Sequence, residues 1–225
     1  MSLPPSATQD ADEHRLRVSE IFYSLQGETS RVGLPTVFVR LTGCPLRCVW
    51  CDSAYAFSGG EWRVLPEVLQ AVADYAPRYV CVTGGEPLAQ KACLPLLTAL
   101  CDAGYSVSLE TSGALDIAPV DPRVSRIVDI KPPGSGEAGR NLWSNLSLLT
   151  PNDELKVVIA DRADYDWSLQ KIREHATFER CPVLFSPVQG CLAPETLAQW
   201  IMDDRLPVRF QLQLHKILWG NVPGR

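Results

Sequence analysis

Three cysteines, Cys44, Cys48 and Cys51, lie close together in the spacing C-x3-C-x2-C. Three thiolates on one short loop can converge on a single metal centre, and soft thiolates select zinc, copper(I) or iron–sulfur clusters. A structural zinc site uses four ligands, yet the nearest further candidates along the chain are His14 and Cys81. Three protein ligands on a four-iron cluster leave one iron open for a reactant, as a catalytic metal site requires. The spacing therefore favours a catalytic [4Fe–4S] cluster over structural zinc, and it favours disulfides least.

A second motif, Thr83-Gly84-Gly85-Glu86-Pro87, directly follows a run of β-branched residues. Glycines let the backbone approach a ligand closely, and a glutamate can accept hydrogen bonds from an ammonium group. On its own the motif also fits a simple turn between a strand and a helix. Its position makes a functional role more plausible than the motif alone does, because it follows the strand that comes after the cysteine loop.

The elements that must position these motifs alternate between short β-branched runs and helical patterns. Strands are predicted at residues 17–22, 37–41, 79–83, 106–110, 126–130, 155–159, 183–186 and 208–212. Helices are predicted at 66–75, 90–102, 141–149, 163–176 and 194–203. This alternation implies an α/β fold with a parallel sheet and helices on its outer faces. A complete eight-unit barrel takes about 250 residues, so we expect a shortened, open (partial) TIM-type barrel.

Candidate functional residues recur at the carboxyl ends of the predicted strands, the edge where parallel α/β folds bind their ligands. Unrelated structural residues would have no reason to share that edge. The residues at or just beyond a predicted strand end are Cys44, Thr83, Glu110, Lys131, Gln189 and Gln213.

Composition limits the class of protein. Of 225 residues, 46% are hydrophobic and 21% charged, which excludes a disordered or fibrous chain. The net charge of −5 argues against general nucleic-acid binding. The first residues lack the pattern of a secretory signal, and no apolar run approaches the roughly 20 residues of a membrane span. We expect a cytoplasmic protein with one domain at 15–225 behind a frayed tail at 1–14.

The two motifs together resemble the radical S-adenosylmethionine (SAM) superfamily, in which C-x3-C-x-aromatic-C follows the first barrel strand and a GGE-type motif follows the next. The resemblance implies that Cys44, Cys48 and Cys51 hold a [4Fe–4S] cluster whose fourth iron is chelated by SAM. It also implies that Trp50 packs near the adenine of SAM. The other residues expected at the cofactor are Cys51, Asp52, Gly84, Gly85, Glu86, Glu110, Asp129, Ile130, Lys131 and Gln189.

Further segments resemble the 7-carboxy-7-deazaguanine synthase family, over about residues 19–219. They are SEIFYSLQGE at 19–28, FVRL at 38–41, CDS at 51–53, DIKPP at 129–133, FSPVQ at 185–189 and QLQLHK at 211–216. In that family a 5′-deoxyadenosyl radical made from SAM takes a hydrogen atom from 6-carboxy-5,6,7,8-tetrahydropterin. The ring contracts with loss of ammonia to give 7-carboxy-7-deazaguanine, which feeds queuosine and related 7-deazapurines. The resemblance thus implies a carbon–nitrogen lyase.

The resemblance also implies a substrate pocket. Arg40 would pair with the substrate carboxylate, which a planar guanidinium matches well. Gln26 would offer a donor and an acceptor to the pterin edge. Ser53 would bind Mg²⁺ together with that carboxylate, since a hard cation prefers oxygen ligands. The residues expected to contact the substrate are Leu25, Gln26, Gly27, Glu28, Arg40, Thr83, Gln213 and His215.

The partners implied are the small-molecule substrate, a flavodoxin-type electron donor and a second copy in a homodimer, with no nucleic acid or membrane. Two alternatives stay open: a glycyl-radical-activating enzyme, which shares both motifs but acts on a protein, and a zinc-stabilised binding module. Gln26, Gly27, Glu28 and Ser53 argue against the first, because a protein substrate needs neither a pterin-reading loop nor magnesium. Bound zinc without visible absorbance would mark the second.

Overall fold

The computed structural model describes residues 15–220 together with 222 and 224, and within them nine strands form one sheet. The predicted tail at 1–14 lies outside the described residues. The strands are β1 (Arg15–Leu25), β2 (Pro35–Leu41), β3 (Glu61–Val64), β4 (Tyr79–Gly84), β5 (Ser106–Thr111), β6 (Ser125–Ile130), β7 (Glu154–Ile159), β8 (Val183–Pro187) and β9 (Arg209–Phe210).

Helices follow most of the parallel strands and begin at local signals. Pro66 lies in the first turn of its helix, where a missing N–H costs nothing, and the Asp161 side chain accepts from the Asp164 N–H at 2.9 Å. Within the described part of the chain, no helix is long and apolar enough to cross a membrane. The α-helices are α1 (Leu65–Ala73), α2 (Cys93–Asp102), α3 (Arg162–Glu174), α4 (Pro194–Asp203) and α5 (Leu214–Trp219).

The sheet is an open barrel. Its strand order is β3-β1-β2-β4-β5-β6-β7-β8-β9. Among the described strands, β3 and β9 are the two edge strands, and each pairs on one side only. β2 and the six strands from β4 to β9 run parallel to one another. β1 pairs antiparallel with both β2 and β3. The prediction of a shortened, open barrel is confirmed.

The loop between β1 and β2 runs through the inside of this open barrel. At one end Gln26 and Glu28 reach the ligand edge. At the other end the Ser30 N–H donates to Glu154 at 3.0 Å and Arg31 donates to the Ser106 carbonyl at 3.0 Å, at the starts of β7 and β5. The loop therefore fills space inside the open barrel.

Residues alternate between two faces along the parallel strands. In β7, Leu155, Val157 and Ile159 belong to the outer apolar core under the helices. Lys156 and Val158 face inward and line a cavity. A continuous apolar core on one face thus leaves the other face free to carry polar groups.

Several elements differ from the sequence prediction, and among them helix α5 (Leu214–Trp219) was not predicted at all. The short edge strand β3 was missed because three of its four residues are exposed, so it shows no apolar alternation. The predicted helix at 141–149 is a 3-10 helix, Trp143–Leu148, in which the buried Asn145 amide donates to the Leu115 carbonyl at 2.8 Å. The predicted strand at 208–212 shortens to Arg209–Phe210, at the open end of the sheet.

Candidate active site

A cavity of about 660 Å³ opens at the carboxyl ends of the parallel strands. The cysteines Cys44, Cys48 and Cys51 line it together with Ser53. All eight residues predicted to contact the substrate lie on its wall: Leu25, Gln26, Gly27, Glu28, Arg40, Thr83, Gln213 and His215. So do eight more of the residues predicted at the cofactor: Trp50, Asp52, Gly84, Gly85, Glu110, Asp129, Lys131 and Gln189.

The cysteine loop follows β2 and folds back on itself. The Cys51 N–H donates to the Cys48 carbonyl at 3.2 Å, and the Leu46 N–H donates to Cys44 Sγ at 3.4 Å. All three thiols are free and partly exposed. Burial raises the pKa of Cys44 and Cys48, so metal binding at these thiols releases protons.

The donor set fits an iron–sulfur cluster. Among the described residues, no three Cys, His, Asp or Glu side chains are grouped as a single metal ion would need. Thiols that bind separate irons of a cube stand further apart than the ligands of one ion. Three free thiols on one loop at the mouth of a cavity are the donor set that a multi-iron cluster with one open iron needs.

The Gly-Gly-Glu segment supports the cysteine loop from beneath. The Gly85 N–H donates to the Leu41 carbonyl at 3.1 Å, and the Glu86 N–H donates to the Gly43 carbonyl at 2.7 Å. A Cβ at Gly85 would collide with the Gly43 carbonyl. Only glycine allows the two loops to approach this closely, so the motif sets the position of Cys44.

Two predicted cofactor residues lie behind the wall of the cavity. Glu86 is fully buried, and its carboxylate accepts from Thr111 Oγ1 at 2.9 Å and from the Ser112 N–H at 2.7 Å. It therefore holds Thr111 and Ser112 on the wall of the cavity. Ile130 packs into the apolar core. The sequence showed which segments matter but not which side chains point inward.

Arg40 lies on one side wall between two aromatic rings. Its guanidinium carbon lies 5.8 Å from the ring centroids of both Phe22 and Tyr55. Its Nε donates to Glu20 at 2.7 Å, and Tyr55 donates its phenol to the same carboxylate at 2.7 Å. Burial would lower the pKa of Arg40, but Tyr55 and Glu20 outweigh it and raise that pKa. Arg40 is thus an oriented, permanent cation.

The floor of the cavity combines side chains from the β1–β2 loop, β4 and β5. The Gln26 amide donates to Glu110 at 3.2 Å, and the Thr83 hydroxyl donates to the other Glu110 oxygen at 2.9 Å. Glu28 forms an ion pair with Lys156. Burial would raise the pKa of Glu28, but the Lys156 ammonium outweighs it, so the pKa lies below its usual value.

The C-terminal segment forms the opposite wall and is fastened to the β1–β2 loop. The Leu214 N–H donates to the Gly27 carbonyl at 2.9 Å, and the Gln213 amide donates to Glu28 at 2.5 Å. His215 packs so closely on Gly27 that a Cβ there would overlap its imidazole. Burial lowers the pKa of His215, which favours a neutral ring.

Asp52 and Ser53 connect the cysteine loop to this wall. Lys216 forms an ion pair with Asp52 at 3.0 Å. Burial would raise the pKa of Asp52, but Lys216 outweighs it and lowers that pKa to about 2. The Ser53 hydroxyl lies 3.8 Å from Cys51 Sγ. These residues therefore join the cysteine loop to the C-terminal segment.

The residues of this site that sequence reasoning missed include Lys156, Tyr55 and Lys216. Lys156 carried a usable signal, because a lysine inside the apolar run of β7 must have a buried partner. Tyr55 and Lys216 carried none, since an aromatic or a lysine in a loop or a terminal helix is ordinary. Their roles depend on which chain segments meet in three dimensions.

Residues 38–176 match the profile of the radical SAM superfamily. The chain is therefore a radical SAM protein, as its cysteine loop and open barrel indicate. The crystal structure of Streptococcus suis SuiB bound to S-adenosylmethionine shares this fold at a TM-score of 0.54, over 76% of this chain and 45% of that chain, at 11% identity. Membership implies a [4Fe–4S] cluster and SAM.

Closer relatives define the family. The chain is 46% identical over 211 residues to the 7-carboxy-7-deazaguanine synthase of Chlorobaculum tepidum, covering 92% of this chain and 96% of that protein. It is 44% identical over 219 residues to the synthase of Koribacter versatilis, covering 91% and 97%. The crystal structure of QueE from Escherichia coli shares the fold at a TM-score of 0.74, over 94% of this chain and 100% of that chain, at 22% identity. The chain belongs to the 7-carboxy-7-deazaguanine synthase family.

Proposed function

We propose that this protein converts 6-carboxy-5,6,7,8-tetrahydropterin to 7-carboxy-7-deazaguanine with release of ammonia, as a radical SAM lyase. The observation that carries the proposal is one shared cavity. The cysteine loop and the side chains suited to a carboxy-pterin, Gln26, Glu28 and Arg40, line the same 660 Å³ space. A separate metal site and a separate binding cleft would not support chemistry on the ligand.

Cys44, Cys48 and Cys51 would hold the cluster, and Gly84 with Gly85 would let SAM lie close to the strand end. When bound, the cluster and SAM supply the one-electron chemistry that removes a hydrogen atom from the substrate. The chain itself binds and orients the reactants. Its loop and C-terminal segment also limit the access of water, which protects a radical from side reactions.

The substrate wall suits a carboxylate and a ring edge with N–H donors. Arg40 has its Nε bonded to Glu20, so the remaining guanidinium nitrogens can face a carboxylate. Glu28 and Glu110 supply acceptors at the floor, and Gln26 links the two by donating to Glu110 and accepting from the Glu28 N–H at 3.2 Å. This arrangement supports a carboxy-pterin as the substrate rather than a protein.

We extend the proposal to Mg²⁺ at Ser53, completed by the substrate carboxylate. The Ser53 hydroxyl, on the cavity wall and 3.8 Å from Cys51 Sγ, is an oxygen donor suited to a hydrated hard cation. Activity measured across a Mg²⁺ titration tests this, with Ser53→Ala needing more Mg²⁺ than the wild type. An unchanged Mg²⁺ dependence in that variant would remove Ser53 from the metal site.

The family resemblance also supports a flavodoxin-type reductant, a homodimer and a cytoplasmic location as parts of this proposal. Light scattering on the full chain tests the dimer. Replacing dithionite with reduced flavodoxin tests the reductant, because product must still form if the proposal is right.

The central experiment is anaerobic reconstitution with iron and sulfide, followed by SAM, dithionite, Mg²⁺ and the carboxy-tetrahydropterin. Mass spectrometry should detect 7-carboxy-7-deazaguanine. Cys48→Ala should lose both the visible absorbance of the cluster and all turnover, whereas Cys191→Ala, at an exposed thiol off the cavity wall, should keep both. An intact cluster without deazaguanine product would reject the proposed substrate.

A further inference from the structure

Lys156 is a buried charge in the middle of a strand. It belongs to β7, whose six residues are all buried, and its side chain points away from the outer core into the cavity. Burying an ammonium is expensive unless carboxylates surround it. Its burial within the sheet therefore requires an explanation from its partners.

Carboxylates from three neighbouring elements surround the ammonium. Glu28 of the β1–β2 loop pairs with Lys156 directly, and Asp129 of β6 lies 3.5 Å from it. Glu110 of β5 adds a third negative charge nearby. These three carboxylates meet two lysines, because Lys131 also pairs with Asp129 at 3.1 Å. The floor of the cavity thus has an excess of hydrogen-bond acceptors.

The excess is directed at a ligand. Asp129 Oδ1 is buried and has no hydrogen-bond partner among the described residues. Glu28 uses one oxygen for Lys156 and the other for Gln213. A carboxylate offers about four lone-pair positions, so Glu28 can accept further hydrogen bonds from the cavity side. Such a floor suits a ring that presents several N–H donors along one edge.

We propose that Lys156 is a positioning residue, whose ammonium fixes the Glu28 carboxylate as an oriented anion that accepts hydrogen bonds from the N–H edge of the substrate ring. This inference deepens the proposed function and rests on it, because a pterin ring is the ligand that supplies such an edge.

Lys156 is poorly suited to act as a base. Burial would lower its pKa, but the charges of Glu28, Asp129 and Glu110 outweigh it and raise that pKa well above its usual range. The ammonium therefore keeps its proton at neutral pH. Its contribution is to hold Glu28 in place, and the predicted loss on removing it is one of binding rather than turnover.

The test compares Lys156→Met with Lys156→Arg, and with Lys171→Met as a matched control. Lys171 lies on α3, pairs with Glu174 there and lies off the cavity wall. Isothermal titration calorimetry on reconstituted protein measures the binding of carboxy-tetrahydropterin and of SAM. We expect Lys156→Met to weaken pterin binding by about tenfold or more, the effect of losing a charge-assisted hydrogen bond.

The same variant should keep its iron content and its affinity for SAM, and KM should rise while kcat stays nearly constant. Lys156→Arg should restore most of the pterin affinity, and Lys171→Met should behave as wild type. Wild-type pterin affinity in Lys156→Met would overturn the inference, as would an equal loss of SAM affinity, which would indicate a structural role.

If Lys156→Met does not fold, the double variant Glu28→Gln with Lys156→Met removes both charges and avoids an unpaired buried one. Its pterin affinity should be no weaker than that of Glu28→Gln alone, because Lys156 acts through Glu28. Additive losses would overturn the inference. The wild-type arm tests the proposed function separately: if the wild type does not bind the pterin, that proposal fails and this one fails with it.

Discussion

Two buried ion pairs one strand apart differ in how completely their polar atoms are satisfied. Arg126 of β6 donates through Nε and Nη2 to the two oxygens of Asp153 at 2.9 and 2.6 Å. Asp153 also accepts twice from Thr150, and Arg126 donates to the Leu148 carbonyl at 2.8 Å. Both Asp153 oxygens and the Nε and Nη2 of Arg126 therefore bond to other protein groups.

The pair formed by Lys156 and Glu28 is the opposite case. It shares Asp129 with Lys131, and one Asp129 oxygen lacks a partner among the described residues. A buried polar network that is fully satisfied rigidifies a fold, whereas one left incomplete carries a cost. The incomplete satisfaction of Asp129 at the carboxyl ends of the strands therefore suits a ligand, whereas the bonds between Arg126 and Asp153 at the opposite edge suit a structural pair.

The largest expected effect comes from breaking the satisfied pair. Arg126→Met leaves Asp153 buried and unpaired, which should lower the free energy of unfolding by about 3–5 kcal/mol. Urea unfolding of the apo protein measures this loss. Pterin affinity of the folded fraction should be unchanged, since Arg126 lies off the cavity wall.

The control for this prediction is the double variant Arg126→Met with Asp153→Leu, which removes both charges and should recover most of the lost stability. If Arg126→Met weakened pterin binding without loss of stability, the distinction drawn between the two pairs would be wrong.

A third pair, Glu20 with Arg40, extends the comparison to the side wall. Glu20 and Arg40 are cross-strand partners in β1 and β2, and the carboxylate fixes the guanidinium through its Nε. Glu20→Leu should raise KM for the pterin by about tenfold or more, because Arg40 loses a charge-assisted hydrogen bond that orients it.

Glu20→Gln is the matched control, since its amide oxygen can still accept from Arg40 while its negative charge is gone. Its KM should stay near or below the wild-type value, because the pocket becomes more positive toward a carboxylate. Steady-state kinetics decide: an unchanged KM in Glu20→Leu would show that Arg40 needs no orienting partner.

Sequence reasoning predicted most strands, and the sheet edge at which they end, because the apolar alternation of a strand is visible in a short stretch of sequence. It located the cysteine loop and the Gly-Gly-Glu segment because each motif is a short contiguous run of residues. It did not show that the Glu86 carboxylate accepts hydrogen bonds from Thr111 and Ser112. It missed Lys156 and the path of the β1–β2 loop through the barrel, because both depend on contacts between residues far apart in the chain.

Lowering the pH should weaken both the pair of Arg126 with Asp153 and the pair of Lys156 with Glu28. Burial would raise the pKa of Asp153, but its hydrogen bonds from Arg126 and Thr150 outweigh burial and lower that pKa. Burial would likewise raise the pKa of Glu28, but the Lys156 ammonium outweighs burial and lowers it. The pKa of each carboxyl therefore lies below its usual value. A lowered carboxyl pKa adds stability that is present above the unfolded value and is lost as the pH falls through the folded value. Urea unfolding should therefore show stability falling below about pH 4, with a shallower fall in Asp153→Asn. An equal slope in that variant would exclude Asp153 as a source.

The smallest expected effect concerns the contact between the β1–β2 loop and the C-terminal wall. A Cβ at Gly27 would overlap His215, so Gly27→Ala must shift the imidazole, and overpacking of this kind costs about 1 kcal/mol. The open cavity lets the imidazole shift, so stability should be nearly unchanged; the cost falls instead on substrate binding, where it should raise KM about fivefold. Gly139→Ala is the control, since a Cβ there meets nothing within 4 Å. Equal kinetics in the two variants would mean that His215 can move without affecting the pocket, and the incomplete network at the floor would then act without help from this wall.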